Sequence, residues 1–299
     1  MIKINRIAHA TFETPDIEKT LAHYTDVVGL VVAQRDKNEA FLASKLGQLV
    51  LHLKKGAAAN CTQLAFEVAP DASFKDMAAA LKADGVASEE RNDAIPGVGK
   101  TLSFLDPKGT RLDLFAERTY LGKHLPVSGV GPFKLGHVAF VVPDPKAITE
   151  FYCKVLGFRV SDWIEDFFSF LRCGPDHHTV NFVRGSAVKL HHYAFELKDM
   201  AHIQSACELL AQSKIPIIWG PGRHGAGHNV FTYHRNPDDQ IVEFYTELDV
   251  MYDEALGYFE PRPWHDDQPQ RPKVWKREDA GIHWGPPPTA DFLRSREAH

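Results

Sequence analysis

Cysteine is scarce in this sequence, and long runs of basic or apolar residues are missing. The 299 residues include four cysteines, which lie far apart without a C-x-x-C pair, so neither a disulfide framework nor a cysteine zinc site is predicted. The formal net charge is −5, and no Lys/Arg run could follow a phosphate backbone, which argues against nucleic acid as a partner. No apolar stretch approaches roughly 18 residues, and no signal-like segment opens the chain. We therefore expect a cytoplasmic protein with no membrane partner.

The chain does contain an internal repeat. The segment RIAHATFETPDIEKTLAHYTDVVGL near the start aligns with KLGHVAFVVPDPKAITEFYCKVLGF near the middle. Three identical pairs are each separated by 128 positions: His9 and His137, Tyr24 and Tyr152, Gly29 and Gly157. The register continues further along the chain with small slips. We predict two similar domains at 1–125 and 131–250, followed by a Pro- and Trp-rich tail at 251–299.

Each half alternates between strand and helix patterns. VAFVV predicts a strand, and the helix KAITEFYCKVL is predicted to begin after Pro143 and Asp144, because an Asp side chain caps free backbone N–H groups. The same helix is predicted to end at Gly157, since glycine readily adopts the left-handed conformation found there. A second strand and helix follow in each half. The economical prediction is an α+β fold with two βαβββ modules per domain, forming a curved sheet around a central site.

Polar residues interrupt the apolar pattern at three equivalent strand positions in the second half. His137 in GHVAFVV, His192 in KLHHYAFEL and Glu243 in IVEFY each lie opposite the apolar face of their strand. His191 shares the apolar face and is expected to point toward the packed helices. Two histidines and one carboxylate on the concave side form a facial triad, which suits Fe(II) and leaves adjacent positions open. The alternative is that each histidine is a hydrogen-bonded core residue. The coincidence of three equivalent strand positions makes this alternative less favoured.

The segment RHGAGHNVFTYHRNPDDQIVEFY carries the most specific motif. His224 precedes Tyr233 by nine positions, an Asn-Pro pair follows, and Glu243 comes ten positions after the tyrosine. Together with LGHVAF and LHHYAF, this motif resembles the type I extradiol ring-cleavage dioxygenases of the vicinal oxygen chelate superfamily, over about 250 of the 299 residues. Asp239 stands where that family usually has Gly or Pro, a departure that affects a turn.

The resemblance implies a role for each of these residues. It implies three ligands to Fe(II), namely His137, His192 and Glu243. Mn(II) is the alternative metal, because it accepts the same ligands. His224 and Tyr233 would line the side where substrate and oxygen bind. The family's acid/base histidine precedes the second ligand by fourteen or fifteen residues, so both His177 and His178 qualify; His178 is preferred because HTVNF resembles the family's run.

The first half lacks the same set of residues. Its corresponding positions are His9, Gln63 and Asp113, and Ser103 replaces the tyrosine. A neutral carboxamide in place of an imidazole removes the best nitrogen donor, and Asp is one methylene shorter than Glu. We predict that this half is a scaffold with a degenerate site, in which a bound metal is not expected.

The resemblance implies cleavage of a catecholic ring next to the diol, with insertion of both atoms of O2, in aromatic compound catabolism. The same superfamily includes glyoxalases, epimerases and metal-free binding proteins, so the fold alone does not decide the function. The presence of His224 and Tyr233 beside the triad favours the dioxygenase. The expected partners are a small catechol and O2, and large homo-oligomers are usual in the family. Proximal or distal cleavage stays open.

The substrate and the remaining residues are less constrained by the sequence. Ala139, two positions after the first ligand, is small and favours an uncharged alkyl-, aryl- or fused-ring catechol. A carboxylated substrate would need a cation, for which three arginines are candidates: Arg172, Arg223 and Arg235. His23 is predicted to lie at the surface, and His228 and His234 to have solvent or structural roles. The tail is expected to cover the pocket mouth or a neighbouring subunit.

Overall fold

Two large β-sheets, one in each half of the chain, dominate the computed structural model. It describes residues 2–92, 95–121, 128–262, 264–265 and 267–294. Within these ranges, no helix is both long and apolar enough to cross a membrane.

The first sheet is built from residues of the first half. Its strands are β1 (Ile4–Thr14), β2 (Val31–Arg35), β3 (Glu39–Ala43), β4 (Leu49–Lys55), β5 (Asn60–Val68), β6 (Ser88–Arg91), β7 (Thr101–Leu105) and β8 (Arg111–Phe115). They lie in the order β2-β3-β4-β1-β5-β8-β7-β6. The helical segments of this half are α1 (Ile17–Ala22), a π-helical turn (His23–Val28) and α2 (Phe74–Ala83).

The second sheet contains the three strands that carry the predicted ligands. Its strands are β9 (Lys134–Val142), β10 (Arg159–Ile164), β11 (Phe168–Arg172), β12 (Val180–Arg184), β13 (Lys189–Glu196), β14 (Trp219–Arg223), β15 (Val230–Arg235), β16 (Ile241–Thr246) and β19 (Lys273–Trp275), in the order β14-β15-β16-β13-β9-β12-β11-β10-β19. The strands β17 (Met251–Asp253) and β18 (Tyr258–Phe259) form a separate pair. The helices are α3 (Pro145–Leu156), α4 (Met200–Gln212), α5 (Arg277–Ala280) and α6 (Ala290–Leu293).

The two sheets repeat one pairing pattern. In the first sheet, β1 is parallel to β4 and antiparallel to β5, and β5 is parallel to β8. In the second sheet, β9 is parallel to β12 and antiparallel to β13, and β13 is parallel to β16. The predicted α+β fold of repeated strand and helix modules is therefore confirmed. The domain limits at 125 and 131 stay a prediction, since residues 122–127 lie outside the described ranges.

The helix α3 shows how local sequence sets one of these modules. Asp144 accepts hydrogen bonds from the backbone N–H groups of Lys146 and Ala147, both at 3.0 Å, which satisfies donors that a helix start leaves free. The helix ends at Gly157, which adopts φ 70°. Both predictions for this helix are confirmed. Its buried face packs against the second sheet through an i, i+4 row that includes Ile148 and Tyr152.

Polar contacts join the two halves. The hydroxyls of Tyr24, in the π-helical turn of the first half, and Tyr193, on β13 of the second, share a buried hydrogen bond. The carboxylate of Asp238 accepts hydrogen bonds from Thr14 at 3.1 Å and from Thr20 at 3.0 Å. Because these groups are paired across the boundary, separating the halves would leave them unsatisfied unless water replaced each partner.

His23 lies in this boundary and not at the surface. Its side chain is buried, and its Nε2 lies 3.4 Å from Nε2 of His234, which is also buried. The prediction of a surface position was wrong, because the helical pattern of the first half does not reveal that the second half covers this residue. Burial lowers the pKa of His23 to about 4, and the pKa of His234 also falls through burial and its histidine neighbour.

We expect the buried His23 to make folding sensitive to acid. The folded protein keeps this imidazole neutral down to about pH 4, whereas the unfolded chain takes up a proton below about pH 6.5. The stability contribution is thus present above pH 6.5 and is lost as the pH falls toward 4. Between pH 7 and pH 4 the wild type should lose about 3 kcal/mol more unfolding free energy than His23→Leu, measured by urea denaturation. Equal losses in the two proteins would contradict the assignment.

Residues beyond 250 pack against the second sheet. β19 pairs in parallel with β10, so the tail adds an edge strand. In α6, the ring of Phe292 lies 4.6 Å from that of Trp219 and 5.0 Å from that of Tyr233, between ring centroids. The indole N–H of Trp219 also donates to the carbonyl of Pro286 at 3.0 Å. Through these contacts the tail reaches the cavity described next.

Candidate metal centre

Three neighbouring strands bring the predicted ligands together. His137 on β9 lies beside Ala194 on β13, which in turn lies beside Glu243 on β16. The His137 Nε2 atom is 2.9 Å from Glu243 Oε2 and 3.2 Å from His192 Nε2, and the third distance, from His192 Nε2 to Glu243 Oε2, is 3.4 Å. All three side chains are buried. Strand alternation thus predicted a set of residues that the fold does place together.

The distances and the charge state fit a divalent metal. Ligand atoms bound at about 2.1 Å in adjacent octahedral positions lie about 3 Å apart, close to the separations found among these three atoms. Burial alone would raise the pKa of Glu243, but the adjacent His137 and His192 hold it well below its usual range. Two imidazole nitrogens and a carboxylate oxygen this close repel one another unless protons or a cation lie between them. A cation satisfies all three.

A second layer of side chains orients these ligands. Asn229 Nδ2 donates to Glu243 Oε1 at 2.9 Å, which leaves Oε2 for the centre. His191 Nδ1 lies 2.6 Å from His192 Nδ1, so the ring of His192 is held with Nε2 toward the other two ligands. Metal-binding histidines commonly use their second nitrogen in this way, which fixes the tautomer and the ring orientation. Sequence reasoning missed Asn229 and preferred a structural role for His191.

The expected direction of His191 was wrong. Instead of pointing toward the helices, this side chain lines the same cavity as His192. The cause is a bulge in β13, where Leu190 pairs with Phe140 and His192 pairs with the adjacent Ala139, so that His191 is the extra residue. A bulge interrupts the strict alternation of a strand, and two consecutive side chains then reach one face. The two consecutive histidines within the strand were the sequence signal that could have indicated this bulge.

His224 and Tyr233 face each other across the cavity wall. His224 Nδ1 donates to the carbonyl of Gly281 at 2.7 Å, which assigns the ring hydrogen to Nδ1 because a carbonyl only accepts. His224 Nε2 is therefore free to accept from the hydroxyl of Tyr233, 2.9 Å away. Burial is the main cause that lowers the pKa of His224, to about 4, so the ring is neutral at pH 7.

The two candidates for the acid/base histidine occupy different positions. His178 lines the cavity, and its ring centroid is 4.3 Å from that of His137. His177 lies behind it, with a distance of 3.0 Å between the two Nδ1 atoms. Burial first, and then the neighbouring histidines, lower the pKa of His178 well below its ordinary value, so its imidazole is neutral. The catalytic role of His178 stays a prediction.

The cavity around this centre is mostly apolar. The space between its walls is about 510 Å³, part of which is open to solvent. Residues of the tail, Ala280, Gly281 and Phe292, form part of its wall. The other apolar side chains that line it are Ile164, Phe168, Phe170, Trp219 and Ala226. Within the described ranges, its polar lining consists of histidines, Asn181, Asn229, Tyr233 and Glu243, without Lys or Arg.

The three arginines considered for a charged substrate are engaged elsewhere. Arg172 pairs with Glu254 at 3.0 Å through two nitrogens. Arg223 donates to the carboxylate of Glu247 at 2.7 Å. Arg235 donates to Asp291 at 3.0 Å. The charge of each guanidinium is therefore compensated outside the cavity.

A second group of possible ligands joins the tail to the second half. Asp249 Oδ2 accepts from His228 Nδ1 at 2.7 Å, and Asp249 Oδ1 lies 3.4 Å from His265 Nε2. The backbone N–H of Arg262 donates to His265 Nδ1, so the ring hydrogen of His265 lies on Nε2, facing the carboxylate. Despite burial, the two neighbouring histidines lower the pKa of Asp249 to about 2. We therefore interpret this cluster as a polar contact that joins the tail to the second half.

The corresponding positions of the first half have a different chemistry. Gln63 Nε2 donates to Asp113 Oδ2 at 2.6 Å, so one carboxylate oxygen is already used by an amide. Burial raises the pKa of Asp113 and lowers that of His9 to about 3. Ser103 accepts a hydrogen bond from Arg111 at 2.9 Å. The degenerate character of this site stays a prediction.

The repeated sheets have the architecture of the vicinal oxygen chelate fold, and the two-histidine, one-carboxylate group in the second sheet could hold a metal ion. Residues 134–248 match the Glyoxalase/Bleomycin resistance protein/Dioxygenase superfamily, and the chain therefore carries a domain of this superfamily. The fold and the family resemblance inferred from the sequence are confirmed by this match and by the relatives that follow.

Relatives align over nearly the whole chain. A manganese-dependent 2,3-dihydroxybiphenyl 1,2-dioxygenase from Geobacillus genomosp. 3 is 24% identical over 91% of this chain and 94% of its own length. The Mn(II)-bound glyoxalase from Novosphingobium aromaticivorans is 26% identical and superposes with a TM-score of 0.83 over 97% of this chain and 94% of that one. A variant of homoprotocatechuate 2,3-dioxygenase from Brevibacterium fuscum is 26% identical, with a TM-score of 0.80 over 97% and 81% of the two chains.

Proposed function

We propose that this protein is an extradiol dioxygenase that cleaves a catecholic ring beside its diol, inserts both atoms of O2 and uses Fe(II). The observation that carries the proposal is the joint placement of the buried triad with His178, His224 and Tyr233 around one apolar cavity. The partners are a small catechol and O2, in aromatic compound catabolism in the cytoplasm. From the family resemblance we also propose a homo-oligomer.

His137, His192 and Glu243 would hold the metal through Nε2, Nε2 and Oε2. When bound, the metal would supply a centre through which a catechol and dioxygen exchange electrons. Fe(II) is proposed from the family resemblance; Mn(II) accepts the same ligands and is the alternative, as in the manganese-dependent relative. The negative charge of Glu243 offsets part of the charge of a divalent ion in a buried site.

The His224 and Tyr233 pair orients the diol. Because His224 Nε2 accepts the hydroxyl hydrogen of Tyr233, that hydroxyl would meet a catechol O–H as an acceptor. This contact selects a hydroxyl-bearing substrate edge. The apolar walls exclude water and strengthen each polar contact inside the cavity.

His178 is the residue that moves protons. Its Nδ1 faces His177, so Nε2 is the ring nitrogen available to the cavity. A neutral imidazole accepts a proton at Nε2 when the diol ionises and returns it later, the usual action of a general acid/base. The neutral state at pH 7 follows from burial, which lowers the pKa of this ring.

The alternative function is a glyoxalase-type isomerase or lyase, which the Mn(II)-bound glyoxalase relative brings forward. An isomerase needs the metal and a base but has no need for the His224 and Tyr233 pair. The two functions differ in a measurable way, because only a dioxygenase consumes O2.

The direct test is anaerobic reconstitution with Fe(II), and in parallel with Mn(II), followed by addition of air and 2,3-dihydroxybiphenyl. We expect one O2 consumed per catechol and a yellow ring-cleaved product. If one metal binds per chain and no catechol consumes oxygen, the dioxygenase proposal fails and the isomerase comes first.

We further expect a preference for catechols without a charged substituent. A carboxylate carried into this cavity would find no Lys or Arg in the described lining, and burial of an unpaired charge costs several kcal/mol. The kcat/KM for 3,4-dihydroxyphenylacetate should be lower than that for 2,3-dihydroxybiphenyl by ~100-fold or more, which corresponds to roughly 3 kcal/mol. Steady-state oxygen uptake with both substrates provides the measurement. Similar kcat/KM values would mean that a cation reaches the bound substrate.

A further inference from the structure

A buried chain of hydrogen bonds leads away from the cavity behind His178. His178 Nδ1 lies 3.0 Å from His177 Nδ1, and His177 Nε2 lies 3.0 Å from Asp162 Oδ2. The side chains of His177 and Asp162 are fully buried, each with 0% of its surface exposed. His177 is absent from the cavity wall, so it reaches the substrate only through His178.

The carboxylate at the end of this chain fixes the position of the hydrogens. The carboxylate oxygen of Asp162 accepts, so His177 Nε2 carries a hydrogen and donates it. With its ring hydrogen on Nε2, His177 offers the lone pair of Nδ1, which accepts from His178 Nδ1. The hydrogen of neutral His178 is thus held on Nδ1, and Nε2 keeps its lone pair for the cavity. The same logic of an acid setting the tautomer of a histidine operates in catalytic triads.

The tail holds the carboxylate in place. Asp162 lies on β10 directly beside β19. Its Oδ1 accepts from the backbone N–H of Lys273 at 2.9 Å, and its Oδ2 accepts from the indole N–H of Trp275 at 2.5 Å. With His177, three donors converge on one carboxylate, which leaves it little freedom to rotate.

We propose that Asp162 and His177 are positioning residues that fix the tautomer and the orientation of His178, and that the tail strand β19 belongs to this device. The kinetic part of the proposal rests on the proposed dioxygenase function. The hydrogen positions do not, and they are tested separately.

Neutron diffraction from deuterium-exchanged crystals of the metal-loaded protein tests the hydrogen positions. We expect deuterium on His177 Nε2 and on His178 Nδ1. Deuterium on His177 Nδ1 would overturn the proposal, because His178 would then be an acceptor at its own Nδ1. This readout stands even if no catechol is cleaved, so the failure of the proposed function is distinguishable from the failure of the chain.

The kinetic test uses Asp162→Asn. An asparagine offers one oxygen to three donors, so its amide faces at least one of them and the fixed tautomer is lost. We expect kcat for ring cleavage to fall about 10- to 100-fold, the usual effect of losing an outer partner, while metal content and the KM for catechol stay unchanged. A matched control is Asp166→Asn in the same hairpin, where an exposed carboxylate pairs with Arg184. The control should match the wild type.

A second variant covers the case in which Asp162→Asn does not fold. His177→Phe keeps a ring of similar size next to Phe259, whose centroid is 4.9 Å away, but removes both nitrogens. It should show the same loss of kcat with unchanged KM and metal content. A folded His177→Phe enzyme with wild-type kcat would overturn the proposal. Equal losses of kcat, metal and substrate binding would instead indicate a purely structural role, and would overturn it as well.

Discussion

His192→Ala is expected to abolish metal binding and oxygen uptake, whereas His191→Ala should only weaken them. The first change removes one of three atoms that lie within 3.4 Å of one another and leaves a bidentate site. The second removes the partner at 2.6 Å that holds the ring of His192, and outer partners of this kind typically contribute 10- to 100-fold in metal affinity or activity. The loss for His192→Ala should therefore exceed ~100-fold.

The measurement is the metal content after anaerobic reconstitution and dialysis, together with the oxygen-uptake rate at saturating catechol. The wild type should hold one equivalent of Fe(II), His191→Ala a smaller fraction at the same free metal concentration, and His192→Ala close to none. The reverse order, with His191 essential and His192 dispensable, would show that the bulge presents the other imidazole to the metal.

The fold and most of the site could be predicted because both depend on local periodicity. His137, His192 and Glu243 each occupy one strand, and the repeat makes those three strands neighbours, so alternation alone decides which side chains share a face. The ends of α3 were also set locally, by Asp144 and Gly157. Such features need only a few adjacent residues to be specified.

Features that depend on contacts between residues distant in sequence could not be predicted from the sequence. The bulge that turns His191 toward the cavity arises from the pairing between β9 and β13. Strict alternation of side chains along a strand does not predict such a bulge. The burial of His23 results from a partner, His234, that lies 211 positions away. The carboxylate of Asp162 meets Trp275 across 113 positions. In each case the sequence does not reveal which parts of the chain pack against each other in the fold.

The pair His177 and His178 shows the limit within a single motif. Adjacent positions differ by one in spacing, so the distance to the second ligand left both open. Only the folded loop between β11 and β12 puts His178 at the cavity and His177 behind it. Asp162 then gives the hidden histidine a defined partner. The two adjacent histidines can thus have separate roles: His178 faces the substrate, and His177 positions His178.

His178→Gln is expected to bind metal and catechol normally and to cleave the ring ~100- to 10,000-fold more slowly, the range that general acid/base catalysis contributes. The imidazole of His178 lies against His137 but is not one of the three metal ligands, so its loss leaves those ligands in place. An amide of similar length still donates a hydrogen bond but does not exchange a proton at neutral pH. Single-turnover mixing of the anaerobic catechol complex with O2 isolates this step from binding.

The matched control is His52→Gln, which removes a buried imidazole from the first sheet, where its Nε2 pairs with Glu39 at 2.9 Å, outside the cavity lining. The control should keep the wild-type rate, so that a slow His178→Gln enzyme reflects the missing proton carrier and not the loss of a buried histidine in general. If His178→Gln cleaves catechol at the wild-type rate, the proton must move through the other neutral pair at the cavity, His224 and Tyr233, whose hydrogen bond would then have to carry acid/base chemistry as well as orientation.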